Sequence, residues 1–241
     1  MFFKIVSILG SLTLISRILG YIRDLLIARL FGAGLVSDAF FVSFKLPNLF
    51  RRLFAEGSLN SAFIPVVSGI KSKFGRQKSD EFLSTIFSIL LSFLFILLII
   101  CELLMPIIIN LIAPGFSKNP EKFLLSVDLA RLTFPFVVFV CLTSLIGGYL
   151  NTLGKFAAMA VTPIILNLTM ILTLIIFFKL ENQTFLAKYL SFSISLAGLI
   201  QIIWIITHLK KNNSNLIIRL PKIKLVSKPS PEIKKFFTLL T

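Results

Sequence analysis

The sequence predicts an all-α membrane protein, and its composition and the grouping of its apolar residues both support that fold class. Hydrophobic residues make up 56% of the 241 residues and charged residues only 15%, whereas a soluble domain is roughly half apolar and a quarter charged. The mean hydropathy is +0.96. The apolar residues lie in blocks of about 20, the length of helix that crosses the hydrocarbon core of a bilayer.

Six apolar segments are predicted to be transmembrane helices. They cover residues 2–31, 36–70, 82–112, 126–150, 157–178 and 185–208. Residues 212–231 are basic, polar and punctuated by proline, which predicts a cytoplasmic loop, and residues 232–241 begin a new apolar segment, the start of a seventh helix. An apolar segment that starts so close to the last residue predicts a truncated chain or a split gene.

The placement of lysine and arginine predicts a cytoplasmic N-terminus, because basic residues concentrate in cytoplasmic loops. In that orientation most loop cations lie inside, within residues 71–78 and in the tail after residue 208. The formal net charge of +15 is therefore explained by membrane topology, and no nucleic-acid partner is expected.

The sequence contains no pattern typical of catalysis, of a metal site or of a cofactor site. Cys101 and Cys141 lie apart in apolar segments and His208 is the only histidine, so neither a redox pair nor a metal site is predicted. The chain has no phosphate-binding glycine loop and no hydrolase motif. These features favour a transporter driven by an ion gradient or a membrane potential over an enzyme.

Charged residues inside the first two predicted helices carry most of the chemical signal. A charge at the centre of a bilayer costs about 2.5–3.5 kcal/mol, so such residues are expected to face water, each other or a ligand. In the first helix Arg17 and Asp24 share one face. A bend at Gly20 would bring Arg23 onto the same face.

The second predicted helix has a polar stripe of its own, with spacings of seven, seven and four residues. Its members are Asp38, Lys45, Arg52 and Glu56, with Asn48 at the border. Both stripes are predicted to face one cavity whose surplus positive charge favours an anion, and arginine matches phosphate oxygens with two parallel hydrogen bonds. The alternative is a set of structural ion pairs, such as Arg23–Asp38 or Arg52–Glu56.

Four stretches of the chain match a known family in their polar as well as their apolar residues. They are SRILGYIRDLLIARLFGAGLVSDAFFVSFKLPNLFRRLFAEGSLNSAFIPV at 16–66, LIAPGF at 111–116, LTFPF at 132–136 and GGYLNTLGKFAAMAVTPIILN at 147–167. These stretches resemble the MurJ/MviN family of lipid II flippases, which belongs to the multidrug/oligosaccharidyl-lipid/polysaccharide exporter superfamily. The resemblance implies two helical lobes around a central cavity. The six helices would form the N-terminal lobe, and the second lobe of the longer family members is missing.

The resemblance also implies a function and a set of site residues. Family members move lipid II, the undecaprenyl-pyrophosphate-linked disaccharide-peptide precursor of peptidoglycan, from the cytoplasmic to the periplasmic leaflet of the bacterial inner membrane by alternating access. The substrate-binding residues implied for the cavity are Ser16, Arg17, Arg23, Asp24 and Asn48, with Arg17 and Arg23 on the pyrophosphate. The residues implied for gating or switching ion pairs are Asp38, Arg51, Arg52 and Glu56, with Asp38 paired to an arginine.

Besides lipid II, the expected partners are membrane lipids and a separately encoded C-terminal half. Three other functions stay open: an exporter of another polyprenyl-linked glycan or of drugs, an intramembrane enzyme acting on polyprenyl phosphate, and a non-functional truncated membrane protein. The enzyme would need a catalytic histidine or an aspartate-rich metal site, and the sequence offers neither.

Overall fold

The computed structural model describes residues 2–52, 59–214, 216, 232, 233, 236 and 238, with the backbone only for residues 2 and 4. All regular elements in this part of the chain are helices. In chain order they are α1 (Phe2–Phe31), α2 (Leu35–Phe50), α3 (Leu59–Leu103), α4 (Met105–Ile112), a 3-10 helix (Pro114–Lys118), α5 (Pro120–Thr133), α6 (Phe136–Thr152), α7 (Ala157–Ala160), α8 (Thr162–Ile176) and α9 (Gln183–Lys211).

The all-α membrane fold is confirmed, while the count of six spans stays a prediction. Five stretches of the described residues are long and apolar enough to cross a membrane: Ile5–Phe31, Leu59–Leu103, Pro120–Thr152, Ala157–Ile176 and Gln183–Lys211. The second predicted helix, 36–70, falls on α2 and the start of α3, and residues 53–58 between them lie outside the described residues.

Helix α3 differs from the predicted boundaries, because residues 71–81 were expected to form a loop and are helical on both sides of a break at Gly75. Gly75 has a φ of 82°, in the left-handed region that favours glycine. Along a continuous helix Phe63 and Phe82 would lie about 28 Å apart, yet their ring centroids are 5.8 Å apart. The two arms of α3 therefore fold back on each other at Gly75.

The predicted start of a seventh helix is only partly within the described residues. Its described positions are helical, and Ile233 and Phe236 are buried. The ring of Phe236 packs edge-on against Phe63 at 6.3 Å and against Phe82 at 6.5 Å. This segment thus covers the apolar contact between the two arms of α3, while most of the predicted loop 212–231 lies outside the description.

Proline marks the points at which the long spans are interrupted, because it cannot donate a backbone hydrogen bond to the preceding turn. Pro106 lies in the first turn of α4, Pro135 directly precedes α6, and Pro163 lies in the first turn of α8. At the α7–α8 break the Thr162 hydroxyl donates to the Met159 carbonyl at 2.9 Å. That contact replaces the bond that Pro163 cannot make.

A side chain of α9 supplies a further replacement at the same break. The Trp204 indole N–H donates to the Ala158 carbonyl at 3.0 Å. In a bilayer no water is available to satisfy a free carbonyl, so such bonds are what allow a spanning helix to break. The α7–α8 break is therefore stabilised by α9.

Close contact between α6 and α9 builds the core of the bundle. Nearly all of α6 is buried, and Gly198 of α9 lies so near to it that an added Cβ would be 2.9 Å from the Phe136 ring and 3.0 Å from the Cβ of Phe139. Small residues permit this kind of approach between membrane helices. Helix α1, in contrast, lies at the edge: none of its most apolar window is buried inside the bundle.

Candidate functional site

A cavity of about 1540 Å³ lies among α1, α2, α6, α8 and α9. Its wall is largely apolar, with several phenylalanines from α2 and with residues of α4, α6 and α8. Its polar lining residues are Arg23, Lys45, Asn48, Arg51, Arg52, Asn151, Thr162, Asn167 and Gln201. Of the described residues that line it, four are cationic and none is a carboxylate, so the cavity favours an anion.

Arg23 is held at the cavity wall by two neighbours. Its Nε and Nη2 donate to Asp24 Oδ1 at 2.9 and 2.7 Å, and its Nη1 donates to Asn167 Oδ1 at 2.8 Å. The guanidinium carbon lies 5.7 Å from the centroid of the Phe44 ring, within range of a cation–π contact. The Arg23 side chain is 16% exposed and the Asp24 side chain 62%. The positive charge therefore lies deeper than its carboxylate partner.

Asn167 connects α8 to α1 and was not identified from the sequence. Its Nδ2 donates to the Ser16 carbonyl at 2.9 Å, and the residue is 6% exposed. Gly20 lies beside it, since a Cβ at that position would be in ordinary contact with Asn167 Nδ2 at 3.5 Å. The only sequence signal was an amide residue in the apolar stretch that becomes α8.

The α2 residues expected at the site do line the cavity, near the end of that helix. The Asn48 amide donates to the Phe44 carbonyl of its own helix at 3.1 Å, and Arg51 Nε lies 3.5 Å from Asn48 Oδ1. Lys45 and Arg52 are exposed residues of the same wall. This wall thus contributes three cations over two helical turns.

The remaining residues expected to bind substrate are placed differently. Ser16 and Asp24 touch the site indirectly, Ser16 through its carbonyl bond to Asn167 and Asp24 through its ion pair with Arg23. Arg17 is exposed and is not among the described residues that line the cavity. The sequence-based group is therefore brought together only in part, around Arg23.

The residues expected to gate the site also separate. Asp38 forms an ion pair with Lys122 of α5, and not with the arginine that the sequence led us to expect. Lys122 also lies 4.2 Å from the centroid of the Phe116 ring. Since α2 packs against α5 here, a lysine of α5 is nearer to Asp38 than the arginines of α1. Glu56 lies outside the described residues.

Two buried amide oxygens at the cavity have no hydrogen-bond partner. They belong to Asn151 and Gln201. Gln201 is 2% exposed, and its Nε2 donates to the Thr162 carbonyl at 2.8 Å, so its Oε1 is the atom left over. Unpaired buried acceptors are uncommon in native proteins. Both oxygens are enclosed by the protein, so they are unpaired acceptors behind the cavity wall.

A second polar cluster, which the sequence did not predict, joins the bend of α3 to the ends of two other helices. The Tyr149 hydroxyl bonds to Asp80 and lies 3.0 Å from the Ser79 hydroxyl, while Lys71 donates to the Thr152 carbonyl at 2.8 Å. Arg76 Nη2 donates to the Ser214 hydroxyl at 2.8 Å. These contacts tie the bend of α3 to the ends of α6 and α9.

The fold and the cavity together define a class of protein: a polytopic helical membrane protein with a cationic cavity, as found in transporters of anionic compounds. No group of three or more potential metal ligands occurs among the described residues.

The comparisons with known proteins identify the family. The model of the family "Lipid II flippase MurJ" matches residues 27–241, and the chain belongs to this family. The chain is 41% identical over 204 residues to the "Probable lipid II flippase MurJ" of Rickettsia prowazekii (strain Madrid E), covering 85% of this chain and 39% of that protein. It is 38% identical over 233 residues to the corresponding protein of Rhizobium tropici, covering 95% and 42%.

A solved structure shares the fold. It is described as "Lipid II flippase MurJ, inward closed conformation", and it matches with a TM-score of 0.74 and 26% identity, over 96% of this chain and 46% of that one. The chain therefore spans less than half the length of the relatives that it matches.

Proposed function

We propose that this chain forms the N-terminal lobe of a lipid II flippase. In this proposal the lobe helps to move the undecaprenyl-pyrophosphate-linked precursor from the cytoplasmic to the periplasmic leaflet by alternating access, without chemical conversion. The observation that carries the proposal is the cavity wall, where Arg23, Lys45, Arg51 and Arg52 meet without a lining carboxylate among the described residues. The second lobe would come from the rest of a longer chain or from a separately encoded half.

Charge is the first argument for a diphosphate. Cations at membrane depth are costly, and a ligand with two or more negative charges would offset that cost while it is bound. Arginine offers paired N–H groups that fit two oxygens of one phosphate. Arg23 lines the cavity, whereas its more exposed ion-pair partner Asp24 is not among the described lining residues.

Size and polarity are the second argument. At about 1540 Å³ the cavity exceeds the roughly 300–1,000 Å³ of pockets for drug-sized ligands, as a disaccharide-peptide headgroup requires. The phenylalanines of α2 offer an apolar wall next to the charges.

The same proposal includes location in the bacterial inner membrane with the N-terminus in the cytoplasm. A small cavity of about 260 Å³ is lined by Ile5 of α1 together with Lys155, His208 and Asn212. The start of α1 therefore lies at the same end of the bundle as the basic segments after α6 and α9. Basic ends of membrane proteins remain on the cytoplasmic side.

The experiment is a leaflet-accessibility assay for lipid II in cells depleted of their own flippase. The cells express this chain, alone or together with the C-terminal half of a relative. We expect lipid II to reach the outer leaflet, transport to be lost in Arg23→Ala, and transport to persist in Arg29→Ala, because Arg29 is exposed and is not among the described cavity residues. Failure to expose lipid II with both halves present at normal membrane levels would refute the proposal.

A further inference from the structure

We infer that Asn167 is a positioning residue for Arg23, which orients the guanidinium so that its free N–H groups face a diphosphate in the cavity. The inference rests on the proposed function and adds to it a residue of α8 that the family resemblance did not single out. Asn167 does not carry charge itself. It acts through the orientation of Arg23.

The orientation of the Asn167 amide is determined by its two partners. The Ser16 carbonyl can only accept, so the Asn167 atom 2.9 Å from it must be the donating nitrogen. The amide oxygen then faces Arg23 Nη1 at 2.8 Å and accepts from it. Both ends of a buried amide are thereby satisfied, as burial of a polar group requires.

The bonds to Arg23 leave a defined pair of donors. A guanidinium has five N–H groups; Asp24 takes the one on Nε and one on Nη2, and Asn167 takes one on Nη1. One N–H then remains on each terminal nitrogen. These two can donate to phosphate oxygens.

A neutral acceptor is the suitable group for this role. A carboxylate at position 167 would hold Nη1 as well, but together with Asp24 it would give the group around Arg23 a net negative charge, which repels an anion. An apolar side chain would leave the Arg23 fork free to rotate about the axis set by Asp24 alone. Asparagine fixes the fork without adding a second negative charge to the Arg23–Asp24 pair.

The test is a double-mutant cycle on the full chain in lipid nanodiscs, with equilibrium binding of undecaprenyl pyrophosphate as the readout and undecaprenol as the phosphate-free reference. We expect Arg23→Ala to weaken diphosphate binding about tenfold or more. We expect Asn167→Ala to weaken it about fivefold to tenfold when Arg23 is present and less than about twofold in the Arg23→Ala background. A residue with a merely structural role would weaken binding equally in both backgrounds.

Two further variants keep the test decisive. Thr169→Ala is the matched control, because Thr169 lies on the same helix and its hydroxyl donates only within that helix, to Ile165; it should bind as the unmodified chain does. Asn167→Asp keeps the size of the side chain and replaces Asn167→Ala in the test if that variant does not reach the membrane. It should bind undecaprenyl pyrophosphate about tenfold more weakly than the unmodified chain does.

Each other outcome overturns the inference in a recognisable way. Equal losses from Asn167→Ala with and without Arg23, or wild-type binding by Asn167→Asp, would refute the positioning role alone. A loss confined to Arg23→Ala would do the same and would leave the proposed function intact. Undiminished binding by Arg23→Ala would refute both the positioning role and the diphosphate role of the cavity.

Discussion

The contact between α6 and α9 at Gly198 gives a stability prediction that can be worked from distances. In Gly198→Ala the new Cβ would lie 2.9 Å from Phe136 Cδ2, 3.0 Å from Phe139 Cβ and 3.1 Å from Phe139 Cδ2. The Phe139 Cβ is attached directly to the backbone, so it cannot move aside without a shift of α6. Overpacking of this kind costs about 1–3 kcal/mol.

Gly10→Ala in α1 is the matched control, because no atom lies within 4 Å of the added Cβ. Alanine favours a helix over glycine by about 0.5–1 kcal/mol at both positions. The steric cost applies only at position 198, so Gly10→Ala should stabilise and Gly198→Ala should be less stable than the control by about 1–3 kcal/mol.

The assay is unfolding of the purified chain in detergent micelles, by denaturant titration and by heating. A difference of about 1 kcal/mol corresponds to a shift of roughly 2–4 °C in Tm for a chain of this size. Equal stability of Gly198→Ala and Gly10→Ala would refute the close approach of α9 to α6 on which the reasoning depends.

Three further predictions concern individual contacts between helices. Reversing the charge of either Asp38 or Lys122 should destabilise the chain by about 1 kcal/mol or less, because Asp38 is half exposed. Reversing both charges should restore the Tm. A double variant no more stable than the single variants would contradict the ion pair. Trp204→Phe should cost about 1 kcal/mol in the free energy of unfolding, since the Ala158 carbonyl loses its donor in the bilayer, and an unchanged denaturation midpoint would show that the indole bond is dispensable. Tyr149→Phe keeps the ring but removes the hydroxyl that binds Asp80. It should lower the free energy of unfolding by about 1–3 kcal/mol, measured by the same denaturant titration. Thr207→Ser, on the exposed face of α9, is the control.

Composition and local pattern were enough to predict the membrane fold, which is confirmed, and a cationic site on the first two helices, which stays a prediction. The excess of apolar residues, their grouping into spans and the arginines of the first two helices are visible without any tertiary information. They were visible because the cost of placing polar groups in hydrocarbon acts on each segment separately. Arg23 and Asn48 were predicted to bind substrate and Arg51 and Arg52 to gate it; all four line one cavity, whereas Arg17, predicted together with Arg23, is not among its described lining residues.

The helix pattern alone could not show the bend of α3 or the partner of each charge. A run of helix-compatible residues on both sides of Gly75 looks like a loop in composition, because it is rich in lysine and serine, yet it is helical. The expected partner of Asp38 was an arginine, but contact between α2 and α5 brings Lys122 to it. Pairing of charges depends on which helices are neighbours, and that is not encoded in the spacing within one helix.

The sequence by itself determined that the protein is helical and resides in a membrane, and it predicted cations on the first two helices. Only the tertiary structure decided which side chains meet: Asn167 with Arg23, Trp204 with the α7–α8 break, and Gly198 with α6. The physical reason is the distance along the chain over which each interaction acts. Burial in the bilayer is decided by the chemistry of each segment, whereas a hydrogen bond or a close contact between helices depends on how segments distant in the chain pack together.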